Sequence, residues 1–310
     1  MKLLSYLLAV MLLLGSCGLS YEEKRRTQHK ERQQRLREDS AALKVAVMPT
    51  LDCLPLFVAK SEHLFSSQGV DVRLKPFNAQ MDCDTALAGG SVEGAVTDLV
   101  RAERLQRLGI PLRYVTATSA YWQLYTSRMA RITRLPQLDD KMLSQTRYSA
   151  TDLLADLIVD SAKLASERVF KIQVNDVHIR LKMLVNNEID AVLLTEPQAS
   201  QARQAHQHLL FDSRVTGLQL GAIVFSEKAL KNKKRQHQLD VFLKGYNQAV
   251  DSINLHGVDH YRELLIKHTS MTSDQTDSVL LLAKFHRVAA PREADLTRAR
   301  KWLDKTNNSK

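Results

Sequence analysis

The chain has 310 residues, 44% of them apolar, and 44 lysines and arginines against 34 acids give it a formal net charge of +10. That length and apolar content suffice for sizeable cores and exclude a fibrous or disordered chain. The positive charge is spread over an N-terminal run and the C-terminal helices, with no interleaving of aromatic and basic residues, so no nucleic-acid partner is expected.

The first segment, MKLLSYLLAV MLLLGSCGLS, opens with Lys2 and an apolar run from Leu3 to Leu14. Crossing a bilayer as a helix takes roughly 20 apolar residues, so this run reads as a signal segment. The order Leu14, Gly15, Ser16, Cys17 resembles the bacterial lipobox, in which a signal peptidase cuts before the cysteine and that cysteine carries the lipids. The expectation is a lipoprotein signal peptide over residues 1–16 and an acylated Cys17 that anchors the mature chain outside the inner membrane. An ordinary signal peptide and a short anchor are the alternatives. Residues 17–42 then form a tether: YEEKRRTQHKERQQRLREDS has no glycine or proline and almost nothing apolar to bury, and reads as solvated helix or open coil.

From residue 43 onward strand and helix alternate. KVAVM is an apolar strand, LPLFVAKSEHLF has helical spacing, DVRLKPF is a strand and MDCDTALAGG a short helix closed by glycines. VEGAVTD, the helix LVRAERLQRLG and the strand PLRYVTAT complete a first lobe, residues 43–120. The alternation predicts an α/β fold with a parallel, doubly wound sheet. A second series over residues 121–220 starts near Leu138, with TRYSA predicted as a strand and TDLLADLIVDSAKLA as an amphipathic helix. FKIQV, the helix VHIRLKMLVNN, the buried strand IDAVLLT and the short strand HLLFDS follow. Residues 221–310 return to lobe one and end in helices expected to pack on it.

ALAGGSVEGAVTDLVRA and MLVNNEIDAVLLTEPQA echo each other as helix end, turn, acid, apolar strand, polar tip and next helix. Two lobes built alike, with polar residues at the carboxyl ends of their strands, define a crevice for a small ligand. The order "P.F.VA", "LF...GVDV", "AL..G..EGA..D" and "R...L..G.IDA....EP.A" over residues 43–305 resembles the type II substrate-binding proteins of ABC importers, in the group named for aliphatic sulfonate, nitrate, taurine and thiamine-pyrimidine precursors. The resemblance implies two doubly wound lobes joined by a hinge. It also implies an extracytoplasmic, monomeric protein that hands a small-molecule solute to a permease and ATPase complex, with no cofactor, no metal and no catalysis. A lipoprotein that senses or scavenges its ligand without transport is the alternative.

The ligand contacts that the resemblance implies fall on loops. In lobe one they are Thr50, Leu51 and Asp52, then Asn78, Gln80 and Asp82, then Thr97 and Asp98. In lobe two they are Ser149 and Thr151, then Thr195 and Glu196. Asp98, Thr151 and Glu196 are equally good helix-start residues, and capping is the plain alternative for each. The acidic rim (Asp52, Asp82, Asp98, Glu196) favours an amine or nitrogen heterocycle over a sulfonate or nitrate. Tyr121, Trp122, Tyr125 and Tyr148, near the lobe crossings, serve either as stacking surfaces or as hinge and core residues. The fold also serves a fungal pyrimidine synthase, but this chain lacks its cysteine cluster, and Lys60 and His63 sit on an ordinary helix. His206 and His208 lack metal-ligand spacing. Cys53 and Cys83 lie in loops after the first two strands, where a disulfide, two buried thiols or a metal site are all open.

Overall fold

The structure is a computed structural model that describes residues 21–280 and 284–308; the signal segment and Cys17 lie outside the described residues. The chain divides into two units at Ala42. In the first, the described residues form the helix α1 (Tyr21–Ala41), none of whose residues is buried. The charged run is therefore helix, supported by neighbours one turn apart such as Gln34 and Glu38, whose side chains bond at 2.9 Å. No helix of the described residues is long and apolar enough to cross a membrane.

The second unit, residues 43–310, carries two five-stranded sheets. Lobe one is built by β1 (Leu43–Val47), α2 (Leu54–Ser61), β2 (Val72–Pro76), α3 (Gln80–Ala88), β3 (Gly94–Asp98), α4 (Leu99–Arg107) and β4 (Leu112–Ala117). The chain then crosses to lobe two, with β5 (Gln123–Thr126), β6 (Lys141–Gln145), α5 (Ala150–Ser161), β7 (Val169–Gln173), α6 (Val177–Val185), β8 (Ala191–Leu194), α7 (Gln198–Gln204) and β9 (His208–Asp212). It returns as β10 (Gly221–Ser226) and continues through α8 (Glu227–Leu230), α9 (Lys233–His256), α10 (Arg262–Thr269), α11 (Ser273–Leu280) and α12 (Glu293–Asn308).

The strand orders are β2-β1-β3-β10-β4 and β7-β6-β8-β5-β9. In each, four strands share one direction and three of them pair side by side in parallel, as Leu43↔Val72 and Lys141↔Val169 illustrate. The fourth place in each sheet belongs to the strand that has just crossed from the other lobe, and it pairs antiparallel on both sides: β10 with β3 and β4, β5 with β8 and β9. The sheets are thus mixed, where the alternation predicted purely parallel ones, because each crossing delivers its strand from the opposite end. β3 and β8, the strands of the internal echo, both hold the central position.

TRYSA is not a strand. The strand is β6, just before it, and Tyr148 takes a left-handed φ of 53° in the turn that lets Ser149 cap α5. QLYT, read only for its aromatics, forms β5, buried throughout.

Lobe one's core gathers Leu54, Phe57, Phe65, Phe225 and Phe242, with the last two rings edge to face at 5.3 Å. α9 packs on that core as predicted, contributing Phe242, Tyr246 and Val250. α12 reaches further: Leu296, Ala299 and Leu303 share a cluster with Leu99 of α4 and Leu153 of α5. Trp302 Nε1 donates to Asp156 of α5 at 2.7 Å. The last helix therefore packs against both lobes.

Candidate functional site

The carboxyl ends of β1, β3, β6 and β8 face one cleft between the lobes. Its inner chamber, about 60 Å³, is lined from lobe one by Met48, Thr50, Asp52, Gln80, Thr97 and Asp98. Lobe two supplies Trp122, Thr146, Ser149, Thr151, Arg180 and Thr195. An outer chamber of about 480 Å³ is lined by Leu51, Tyr121, Glu196, Arg214 and Phe285 among others, and shares Asp52, Ala120 and Thr195 with the inner one. Those three residues lie where the two linings meet.

The lobes are drawn together across the cleft. Leu51 N–H donates to the Glu196 carbonyl at 2.9 Å, Gln198 Nε2 to the Pro49 carbonyl at 3.0 Å, and Val177 N–H to the Asn78 carbonyl at 3.2 Å. At the hinge, the crossings of residues 118–122 and 213–220 are tied by Ser213 Oγ, which accepts the Trp122 N–H at 2.9 Å, and by Thr118 N–H, which donates to the Gly221 carbonyl at 2.9 Å.

Of the residues named from sequence, Thr50, Asp52, Gln80, Thr97, Asp98, Ser149, Thr151 and Thr195 line the inner chamber, while Leu51 and Glu196 line the outer one. Asn78 and Asp82 line neither and are exposed. The reason is topological: β2 is the edge strand, so the loop after it opens at the flank of the cleft, and only Gln80, held by Val96 through a 3.1 Å bond, turns inward. Among the aromatics, Trp122 reaches the inner chamber and Tyr121 the outer. Tyr125 is fully buried in lobe two, and Tyr148 lies under the Arg104 guanidinium at 4.2 Å. Sequence reasoning missed Arg180, Thr146 and Met48. Arg180 carries one signal, its place at the head of RLKMLVNNEIDAVLLTEPQASQA.

The helix-start alternative holds alongside cleft position for Asp98 and Glu196, whereas α5 is capped by Ser149 and not by Thr151. Asp98 Oδ1 accepts the Arg101 N–H at 3.0 Å and caps α4. Glu196 Oε2 accepts the Ser200 N–H at 3.0 Å, with the Glu196–Pro197 bond cis. Thr151 Oγ1 accepts the Thr146 N–H at 2.9 Å and meets Ser149 Oγ at 2.8 Å, which fixes the turn after β6.

Burial governs the electrostatics. It pushes the Asp98 carboxyl up to about 6, against the pull of Arg101 and of the Arg101 and Ala150 N–H groups. Burial likewise raises Asp52, opposed by the Thr50 and Thr118 hydroxyls, the latter donating to Oδ2 at 2.9 Å. Arg180 is drawn down to about 10 by loss of solvent, and Asp176 counters only part of that. It still carries its positive charge near neutral pH.

Cys53 and Cys83 are buried free thiols, not a bridge. Their sulfurs look to different partners: Cys83 Sγ to Met48 Sδ at 3.7 Å, Cys53 Sγ to Thr50 Oγ1 at 3.6 Å. Desolvation holds both thiols protonated, Cys83 up at about 12, which suits packing rather than metal ligation. No group of three or more metal-ligating side chains occurs among the described residues.

Two similar lobes, two crossings and a cleft at the strands' carboxyl ends define a periplasmic-binding-protein fold. The ligand-binding component of an ABC-type import system from Staphylococcus aureus, solved with zinc bound, superposes with a TM-score of 0.72 at 15% identity, covering 86% of this chain and 92% of that one. The alkanesulfonate-binding protein SsuA from Xanthomonas axonopodis pv. citri, bound to MOPS, gives 0.72 at 16% identity over 87% and 93%. The periplasmic nitrate-binding protein NrtA from Synechocystis PCC 6803 gives 0.62 at 14% over 76% and 68%. No curated protein matches the chain. The chain belongs to the NMT1/THI5-like family, whose pattern matches residues 50–279.

Proposed function

We propose that this protein is the extracytoplasmic solute-binding component of an ABC importer, lipid-anchored through Cys17, which closes its lobes around a small polar solute and presents it to a permease and ATPase complex. The observation that carries the reading is the convergence of polar side chains from both lobes on one cleft at the strands' carboxyl ends. The names of the structural neighbours, an import component, a sulfonate binder and a nitrate binder, support it. The lobes open about the two crossings, admit the solute and close again by hinge motion, with no covalent step.

A solute bound only by the folded, closed form stabilises it by mass action, by about 2.7 kcal/mol at a hundredfold excess over Kd. A thermal-unfolding screen of the mature chain against amines, aminopyrimidines, carboxylates, sulfonates and nitrate is expected to give a dose-dependent rise in Tm for one class; a flat response throughout contradicts the reading. The anchor is tested separately. Labelled fatty acid is expected in the wild type and absent from Cys17→Ser, and labelling that survives the substitution would remove Cys17 as the lipid site.

A further inference from the structure

Lobe two carries a second concavity, away from the cleft. β5 starts directly after Trp122, which lines the inner chamber, and ends at Thr126, paired with His208 at the start of β9. Beyond that far end lies a groove of about 470 Å³ lined by Arg128, Arg131, Arg203, His206 and His208 among others, and none of its lining residues is acidic. Elsewhere the chain matches exposed arginines with acids: Arg168 holds Asp139, Arg214 holds Asp212, and Arg262 holds Asp259 and Asp277. Arg128 and Arg131 are exposed, and among the described residues neither guanidinium has a hydrogen-bond or ion-pair partner. The acids that come near are spent. Glu196 takes Arg203, and Asp190, whose carbonyl accepts the Ser127 N–H, turns its carboxylate to the Met142 N–H at 2.9 Å. The loops themselves are tied down: Gln207 Oε1 accepts the Arg128 N–H at 3.0 Å, and Thr126 Oγ1 donates to the Ile132 carbonyl at 3.0 Å. Between the two arginines Met129 stands 67% exposed.

We infer that this groove is a docking site for the phosphate head of an anionic membrane lipid, with Arg128 and Arg131 on the phosphate, His206 and His208 as further donors, and Met129 entering the boundary of the acyl chains. Unpaired guanidinium forks match phosphate oxygens two at a time. An exposed apolar side chain flanked by basic ones suits a membrane surface, where charge attraction and a shallow apolar insertion add together. Met129 is what favours a lipid over a free phosphate. The inference goes beyond solute binding and takes from that reading only that the chain is held near a membrane.

The test is co-sedimentation of the mature chain carrying Cys17→Ser, which cannot be acylated there, with vesicles of phosphatidylcholine alone and of phosphatidylcholine mixed with phosphatidylglycerol, beside calorimetric titration with glycerophosphate. The chain is expected to sediment with the mixed vesicles only, and less as salt rises. Arg128→Gln combined with Arg131→Gln weakens that binding about tenfold or more and Met129→Ser weakens it severalfold, with Tm unchanged because all three side chains are exposed. Glycerophosphate binds far more weakly than the mixed vesicles. No sedimentation, equal sedimentation with both vesicles, or binding that survives the double variant overturns the inference, the last by assigning the attraction to another basic segment such as α1. Glycerophosphate bound by the parent chain and lost in the double variant, without any vesicle binding, overturns the lipid as occupant. None of these outcomes touches the cleft, so the solute-binding reading is decided by its own thermal screen.

Discussion

Asp98 ends β3, caps α4 through the Arg101 N–H and faces the start of α5 across the cleft. Its folded value of about 6 lies above the ordinary 3.8, so the folded chain holds this proton more tightly than the unfolded one. On that sign, the cost of ionising Asp98 in the interior is absent below about pH 4 and complete above about pH 6, so stability falls as pH rises through that window. The size is about 3 kcal/mol from the cited shift. Asp98→Asn keeps the cap acceptor and removes the titration. Chemical denaturation between pH 4 and 7 is therefore expected to show a flatter profile for the variant than for the wild type, with the difference confined to that window. Parallel profiles would mean that Asp98 keeps a low pKa and sits as an ordinary ionised cap. Arg180 shows why such residues hide in a sequence: an arginine on an amphipathic helix reads as solvated, and only the packing of α6 against β8 turns it inward.

At the level of elements, the glycine that opens β10 is fixed by close approach. A Cβ on Gly221 would stand 2.2 Å from Thr118 Oγ1 and 2.7 Å from the Ala120 Cβ. Thr118 Oγ1 is the group that donates to Asp52, and Ala120 lines both chambers. Gly221→Ala is expected to destabilise the chain by about 1–3 kcal/mol through overpacking and to weaken solute binding as well. Equilibrium unfolding and calorimetry measure the two effects, and unchanged stability would show that the crossing has slack. The strand IDAVLLT, seen as β8, was legible because a strand buried on both faces leaves a continuous apolar run. QLYT was not, being short and read for its rings, and TRYSA misled because polar turn residues follow directly on the strand KMLSQ. Antiparallel insertion of β5 and β10 has no local signature, since pairing direction depends on which lobe a strand comes from. Asn78 and Asp82 were placed in the cleft by their position after a strand, whereas edge placement of β2 leaves both side chains exposed, and only the Asn78 carbonyl reaches across, to the Val177 N–H.

Across the whole binding unit, both crossings are hydrogen bonded to each other, and α12 lies against α4 of lobe one and α5 of lobe two. The opening proposed above would have to carry Trp302 and its bond to Asp156 along with it. The central claim is that a solute enters the chamber between the lobes, and the chain provides its own reporter. It contains two tryptophans, Trp122 lining that chamber and Trp302 on α12. Replacing Trp302 with Phe leaves Trp122 as the sole indole. Its emission, followed during titration with the compound that raises Tm, is predicted to change in a saturable, single-site manner with the same affinity found by calorimetry. Emission from Trp122 that stays constant while that compound binds would place the solute elsewhere and contradict the account.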